Sequence, residues 1–362
     1  MKEYDVIVVG AGPAGSSAAK VAAEKGARTI LLEEDTQIGL PQHCSGLLHG
    51  TKSGIGNEIL ATMDKRVVLG EVKIRRIFSP SGRTLDIPLE GKGVWHIDRG
   101  LFDMQLAVQA AGAGAEIVVN TKATGLLTHG ENIVGVTTNS RAMPEIYGKV
   151  VIAADGIRSI MKGIPRWAGL VEPNVEVWST INWWLANVKN VEPGVLEHHL
   201  GPFGGKRGWI WLEHCDSATC QADFPSFKAF EECRRGNSAL SKKIRGAVPL
   251  RITGCAHPLN LGQPLTKKVK SGLILAGAAA GYMHVLRCVL SGWYAGETAA
   301  EAIKEDDVTE ERLAAYDILC EKLKDTRKTS FGAFWDLSVN QPEELLDRFA
   351  EMDNIDFDIL NL

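Results

Sequence analysis

No part of this 362-residue chain comes near the ~18 consecutive apolar residues of a membrane-spanning helix, so no span is expected. A basic excess is also missing: 40 Lys and Arg stand against 44 Asp and Glu, for a formal net charge of −4. Nucleic acid is therefore not an expected partner, because phosphate binding needs concentrated positive charge. Cysteine is too scarce and irregular for a disulfide framework. There are seven, an odd number, which suits a reducing cytoplasm. Cys215 and Cys220 have only His214 close by and lack the regular ligand spacing of a zinc site, so no metal is expected. Internal repeats and low-complexity linkers are missing, as is the charged-then-apolar pattern of a signal peptide. What remains is a composition of 45% hydrophobic and 23% charged residues, that of a globular protein long enough for two or three subdomains.

The most informative stretch is DVIVVGAGPAG at 5–15, followed by Glu33 and Glu34. An apolar run enters a glycine turn, an alanine-rich helix follows, and a second apolar run, Thr29-Ile30-Leu31-Leu32, ends on acid. This is the strand–turn–helix–strand–acid unit that binds the ADP half of a dinucleotide. Gly10 allows the tight turn and Gly12 lets the backbone approach a pyrophosphate. Gly15 lets the helix pack on the strand, and the helix N-terminus offers N–H groups to the phosphates. Glu33 lies 23 residues beyond Gly10, close to the ~20 expected of a carboxylate that binds the ribose. No second Gly-x-Gly-x-x-Gly unit appears for a nicotinamide.

Further along, GLPQHCSGLLHGTKSGIG at 39–56 reads as an active-site loop, and strand-like runs at 67–78 and 84–89 flank a Ser79-Pro80-Ser81-Gly82 turn. Asp98 is a plausible N-cap for a helix reaching Gly112. Strands are expected at 115–120, 124–128, 133–138 and 150–153, the last ending on Ala154-Asp155-Gly156. Residues 175–224 are strand-rich and hold five tryptophans between 178 and 211. A dinucleotide-type strand returns at 272–276 and runs into Gly277-Ala278-Ala279-Ala280-Gly281. A helix is expected from about 289 to 304, Thr309 caps another, and Pro342 opens a helix in the tail.

Three separated segments, 10–15, 153–159 (AADGIRS) and 273–281 (LILAGAAAG), point to one cofactor. With PQHCSGL at 41–47, IDRGLFD at 97–103 and Gly281-Tyr282-Met283-His284, the chain resembles flavoprotein oxidoreductases of the aromatic-hydroxylase-like superfamily. Within it, the chain is most similar to the archaeal geranylgeranyl, or digeranylgeranylglycerophospholipid, reductases. The resemblance covers essentially the whole chain. It implies an α/β fold: a Rossmann-like FAD-binding domain of the glutathione-reductase type, an antiparallel-sheet substrate domain and C-terminal helices. The expected division is 1–66, 92–166 and 265–305 for FAD, 67–91 and 167–264 for substrate, and 306–362 for the helical tail.

The same resemblance implies site residues. Gly10, Gly12, Ala14 and Gly15 would meet the FAD pyrophosphate, with Glu33 on the ribose and Ala123 at the adenine edge. Arg99 would contact the phosphate–ribityl region, Asp155 and Gly156 would lie near the cofactor, and Cys44, Ser45 and Leu47 would pass the flavin ring. Gly277 and Ala278 belong to the third segment, where relatives carry Gly-Asp and this chain has Gly-Ala. The lost carboxylate would cost about 0.5–1.5 kcal/mol, tenfold or less in affinity. The following glycine loop of relatives is replaced by Val285-Leu286-Arg287-Cys288-Val289-Leu290 and reads as shortened. Cys44 has two readings, a small residue without redox function or, with His43, a catalytic group. Tryptophans in a sheet are core or cavity lining. Trp209 and Trp211 alternate to one side of a strand and are the expected substrate pair.

The implied reaction is saturation of C=C bonds in geranylgeranyl chains of archaeal-type ether lipids by hydride transfer from reduced flavin. Electrons would come from an external donor, ferredoxin or NAD(P)H, and the polyprenyl substrate implies peripheral contact at the inner face of the cell membrane. Two other readings stay open: a flavin monooxygenase or other flavin oxidoreductase, and a non-catalytic member that binds FAD or prenyl lipid.

Overall fold

The computed structural model describes residues 3–42, 44–49, 55–171, 177–201, 209–214, 220–258, 264–323, 338 and 340–351. In chain order the first strands are β1 (Glu3–Val9), β2 (Thr29–Leu32), β3 (Leu47–His49), β4 (Val68–Glu71), β5 (Ile74–Phe78), β6 (Thr84–Pro88), β7 (Val94–Ile97), β8 (Glu116–Val118) and β9 (Ala123–His129). Then come β10 (Asn132–Thr138), β11 (Glu145–Ala153), β12 (Val177–Ala186), β13 (Val195–Leu200), β14 (Trp209–His214), β15 (Cys220–Phe224), β16 (Val248–Pro258), β17 (Val269–Lys270) and β18 (Leu273–Leu275). The helices are α1 (Pro13–Glu24), α2 (Ile55–Ala61), α3 (Arg99–Gly112), α4 (Ile157–Lys162), α5 (Ile164–Trp167), α6 (Phe227–Arg235), α7 (Ala239–Ile244), α8 (Val285–Lys304), α9 (Glu310–Leu313), α10 (Ala315–Cys320) and α11 (Pro342–Ala350). Among the described residues no helix is long and apolar enough to cross a membrane.

The chain divides into two units. The first holds Met1–Leu40, Gly100–Trp178 and Ala256–Asp325; the second holds Pro41–Arg99, Ser179–Cys255 and Thr326–Leu362. The divisions fall after residues 40 and 99, where the sequence suggested 66 and 91.

In the first unit, β18, β11, β1, β2 and β8 are parallel neighbours in that order, with β17 antiparallel at one edge. The β9–β10 hairpin joins the N-terminal part of β11. The parallel strands read as unbroken apolar runs because helices cover both faces of such a sheet. Val6, Ile7, Val8, Ile30, Leu31 and Ile152 are all fully buried. Helix α1 lies along α8 at very close range. A Cβ added to Gly292 would stand 2.0 Å from the Ala14 carbonyl oxygen, and one at Gly296 would stand 2.4 Å from that of Ala18. Glycines one turn apart on α8 and alanines on α1 make that approach possible.

The second unit has a seven-stranded sheet, β16-β12-β15-β14-β13-β5-β6, in which β12–β15, β15–β14, β14–β13 and β5–β6 are antiparallel pairs and β13–β5 is parallel. A separate three-stranded sheet has the order β3-β7-β4. Trp183, Phe224, Phe230, Leu240 and Ile244 form one core of this unit, where α6 and α7 cover one sheet face. Leu345, Leu346 and Phe349 of α11 join a second core with Ile77, Ile87 and Leu196.

Candidate functional site

In the first unit the expected cofactor residues converge at the carboxyl ends of the parallel strands, where open α/β sheets bind ligands. Backbone bonds fix this edge. Gly10 N donates to Leu32 O at 2.7 Å, Ala154 N to Val9 O at 2.8 Å and Ala276 N to Ala153 O at 2.8 Å. Thus β2, β1, β11 and β18 deliver Glu33, Gly10, Asp155 and Gly277 side by side. Gly10 has φ +94° and no space for a side chain, since a Cβ would meet the Ala154 carbonyl oxygen at 2.5 Å. A Cβ on Gly15 would lie 1.8 Å from the Gly10 oxygen, so the helix start is pressed onto its own turn. Gly12 is different: nothing lies within 4 Å of its missing Cβ. That open cradle sits at the N-cap of α1, where no side chain caps the helix and its first turn holds no acid. These features fit a pyrophosphate.

Glu33, the acid expected on the ribose, follows β2. Its Oε2 accepts from Ala11 N at 2.7 Å and its Oε1 from Asp35 N at 3.0 Å, which fixes the carboxylate beside the turn. Burial raises its pKa, and the two amides oppose that shift. Thr121 N donates to Glu33 O at 2.8 Å, so the start of β9 with Ala123 is tied to this acid. Ala123 is buried.

Asp155 ends β11. Its Oδ2 accepts from Ser159 Oγ at 2.5 Å and from Ile164 N at 3.5 Å. Its other oxygen is buried and finds no partner among the described residues. Burial pushes the carboxyl up to about 6 against the Ser159 hydrogen bond. Gly156 follows with φ +79° and open space around its missing Cβ. An orphaned acceptor next to an unobstructed glycine suits a ligand hydroxyl, so this position too fits a dinucleotide.

The third segment forms a 3-10 turn, Gly277–Ala280, and Ala278 is half-buried on it. Gly277 has φ +60°, its missing Cβ would lie 2.5 Å from Ala14 Cβ, and its N–H donates to Ser291 Oγ at 2.8 Å. One expectation is corrected here. The 285–290 stretch is not a shortened loop before a helix at 289; α8 begins at Val285. The N-cap, His284, makes no side-chain capping bond, so the usual start signal is missing. Sequence reasoning also passed over Ser291, Gly292 and Gly296. The Gly-xxx-Gly spacing on a small-residue helix was the available signal.

The residues expected at the flavin ring lie in the second unit, in and beside a clamped loop. Gln42 Nε2 donates to Cys44 O at 3.0 Å, and Thr253 Oγ1 to Gln42 O at 3.0 Å. The Ser45 carbonyl accepts from Gln221 Nε2 at 3.0 Å and lies 3.1 Å from His96 Nε2. Gly46, at φ +89°, turns the chain where a Cβ would meet Ile97 O at 2.3 Å. Cys44 is a free, half-buried thiol, and Leu47 is buried at the start of β3. Gln42, His96, Gln221 and Thr253 hold this loop, and their scatter along the chain hid them. His43 lies outside the described residues. Arg99 opens α3, as expected.

Trp209 and Trp211 stand on β14 opposite Leu200 and His198; their side chains lie outside the described residues. Trp183 belongs to the core, stacked on Phe230 at 3.9 Å. Trp184 lies under the Arg251 guanidinium at 4.5 Å. Buried Glu197 accepts from His199 Nε2 and Lys243 Nζ, both at 2.7 Å, and both bonds favour its carboxylate.

Residues 5–169 match the family model of FAD-dependent oxidoreductases. The chain is 30% identical over 345 residues to digeranylgeranylglycerophospholipid reductase 1 of Methanococcoides burtonii, covering 87% of this chain and 79% of that protein. It is 31% identical over 346 residues to the digeranylgeranylglycerophospholipid reductase of Methanocella arvoryzae, covering 87% and 82%. Among solved structures, a geranylgeranyl bacteriochlorophyll reductase-like protein from Thermoplasma acidophilum superposes with a TM-score of 0.79 at 25% identity, covering 97% of this chain and 96% of that one. A flavin-dependent brominase shares the fold at a TM-score of 0.72 and 18% identity, covering 96% and 92%.

Proposed function

The chain belongs to the digeranylgeranylglycerophospholipid reductase family of FAD-dependent oxidoreductases, and from that membership we propose that it saturates C=C bonds of geranylgeranyl chains in archaeal-type ether lipids. The observation that carries this reading is the fit of the strand-end cradle to a dinucleotide: the capless α1 start at Gly12, the fixed Glu33 carboxylate and the orphaned Asp155 oxygen. Bound FAD, when reduced, supplies a hydride to the alkene, chemistry that no side chain offers.

The protein's part is to bind, orient and supply a proton. The turn at 10–15 holds the pyrophosphate with backbone N–H groups, and Glu33 accepts from the ribose. Ala123 meets the adenine edge, and Arg99 contacts the phosphate–ribityl region. Asp155, Gly156, Gly277 and Ala278 complete the cradle; Ala278 leaves one ribityl hydroxyl without the carboxylate that relatives supply. Cys44, Ser45 and Leu47 line the ring. Cys44, His43 or water delivers the proton to the second alkene carbon, and the bonds from Gln42, Gln221 and His96 hold that loop in register. Trp209 and Trp211 line the prenyl cavity. Electrons come from ferredoxin or NAD(P)H, and a cytoplasmic protein would meet its lipid at the inner face of the membrane. Ala278 also favours a second reading, a member that binds FAD and prenyl lipid without turnover.

The test begins with the visible spectrum of purified protein with FAD added. Without a flavin spectrum, neither enzyme reading stands. Dithionite-reduced protein should then make a geranylgeranyl ether lipid heavier by two hydrogens per reduced bond. Cys44→Ala should keep the spectrum and slow saturation by about 10²–10⁴-fold if the thiol is the proton donor. Unchanged lipid mass with wild-type protein would leave the reductase reading without support.

A further inference from the structure

The net charge of −4 conceals a local reversal. Between positions 226 and 254 stand seven Lys and Arg against two Glu, all within the second unit. Lys243 is turned inward onto Glu197. The Lys228 and Arg235 side chains are 83% and 81% exposed, in i,i+4 pairs with Glu232 and Glu231 along α6, and Lys242 and Arg245 are exposed as well. The same short segment carries four exposed apolar side chains: Phe227 at 57%, Val248 at 50%, Leu250 at 62% and Ile252 at 42%.

Strand geometry puts the apolar groups on one face. The Arg251 guanidinium lies over Trp184, while Trp183, its neighbour on β12, points to the opposite face and meets Phe227 edge-on at 5.1 Å. Side chains alternate along a strand. Leu250 and Ile252, flanking Arg251 on β16, therefore share the face of Trp183, Phe227 and α6. At 62% and 42% exposed, Leu250 and Ile252 are left uncovered on this face.

An interfacial surface needs apolar side chains to enter the headgroup–acyl boundary and cations to meet anionic heads. Both are here, within one segment of 29 residues, on a chain that is acidic as a whole. A second copy of the chain is a poorer occupant, because a two-fold contact would set one basic patch against another. We propose that the face formed by α6, α7 and the β16 edge docks on an anionic lipid bilayer. This deepens the lipid-substrate reading and rests on it, since a prenyl lipid is then met without leaving its membrane.

The experiment uses full-length, FAD-loaded protein sedimented with vesicles of equimolar phosphatidylglycerol and phosphatidylcholine, or of phosphatidylcholine alone. Binding should be at least about tenfold tighter to the anionic vesicles and weaken as salt rises. The double variant Leu250→Glu/Ile252→Glu and the double variant Lys228→Glu/Lys242→Glu should each lose it by a similar factor, with far-UV circular dichroism unchanged. No wild-type binding, or undiminished binding by both variants, overturns the proposal. So does a wild-type dimer by light scattering that Leu250→Glu/Ile252→Glu makes monomeric without any effect of vesicles. Reduction of detergent-dispersed geranylgeranyl lipid separates the two ideas. Both variants should match wild type there and fall behind only on vesicle-borne lipid. Failure of wild type on the dispersed lipid strikes the reductase reading alone, while the sedimentation result still decides the docking face.

Discussion

Asp155 shows how one side chain joins folding to the site. Its carboxyl is buried and pushed up to about 6, against ~3.9 in an unfolded chain. Between those values the folded protein keeps a proton that the unfolded chain has released. The stability from this group is therefore full below about pH 4 and is lost as pH rises through about 6. Above that, the buried charge costs on the order of 2–3 kcal/mol relative to the protonated form. Asp155→Asn removes the charge and keeps an acceptor for Ser159. Before FAD is added, urea unfolding should find the variant more stable by about 2 kcal/mol at pH 7.5, with the difference closing near pH 4. Parallel curves across that range would show that the carboxyl is not held up by burial. A group this poorly solvated, with one oxygen unpartnered, suits a site completed by a ligand better than a scaffold position.

At the scale of elements, the α1–α8 contact decides where the glycine turn sits. Replacing Gly292 by Ala has two opposed effects. Helix propensity favours alanine by up to about 1 kcal/mol. The added Cβ would stand 2.0 Å from a backbone oxygen of Ala14, and a backbone atom cannot swing aside. Overpacking of this kind costs about 1–3 kcal/mol, so the clash should win and the melting temperature should fall. Since Ala14 belongs to the glycine turn proposed to hold the pyrophosphate, Gly292→Ala should also weaken FAD binding, measured by fluorescence titration. Gly296→Ala, one turn further on, should destabilise with less effect on FAD. A Gly292→Ala variant as stable as wild type would mean the helices have room to part.

That contact also marks what could be read from the chain. The turn at 10–15, Glu33 and the start of α3 at Arg99 were legible because each depends on local geometry that only a few residues satisfy. The start of α8 was not, because His284 gives no capping signal and Val285 to Leu290 departs from the glycine loop of relatives. Its buried positions, Leu286, Cys288, Val289, Ser291 and Gly292, follow a helical face that was there to be counted. The clamp on the Cys44 loop was beyond reach for another reason. Gln42, His96, Gln221 and Thr253 are brought together by sheet register across more than 200 residues, which no local pattern encodes.

At the scale of the molecule, the chain passes between its two units five times, so neither unit is a continuous piece that could be cut away. The strand-end residues Gly10, Glu33, Asp155 and Gly277 nevertheless lie in the first unit, and the clamped loop and all but the ends of the large mixed sheet lie in the second. If the first unit holds FAD and the second the prenyl chain, hydrogen exchange should separate them. FAD should slow exchange at 10–15, 33–35, 44–47, 121–123, 154–159 and 277–281, because a ligand that binds only the folded form suppresses local opening where it contacts the chain. A geranylgeranyl ether lipid added to the FAD-bound protein should then slow exchange in β13, β14 and β15, leaving the first set little changed. At a free ligand concentration of about 100 times Kd, each should add nearly 3 kcal/mol to the opening free energy of the segments whose folding it requires. Protection by the lipid confined to the first set would sink this division of labour and place both ligands on one unit.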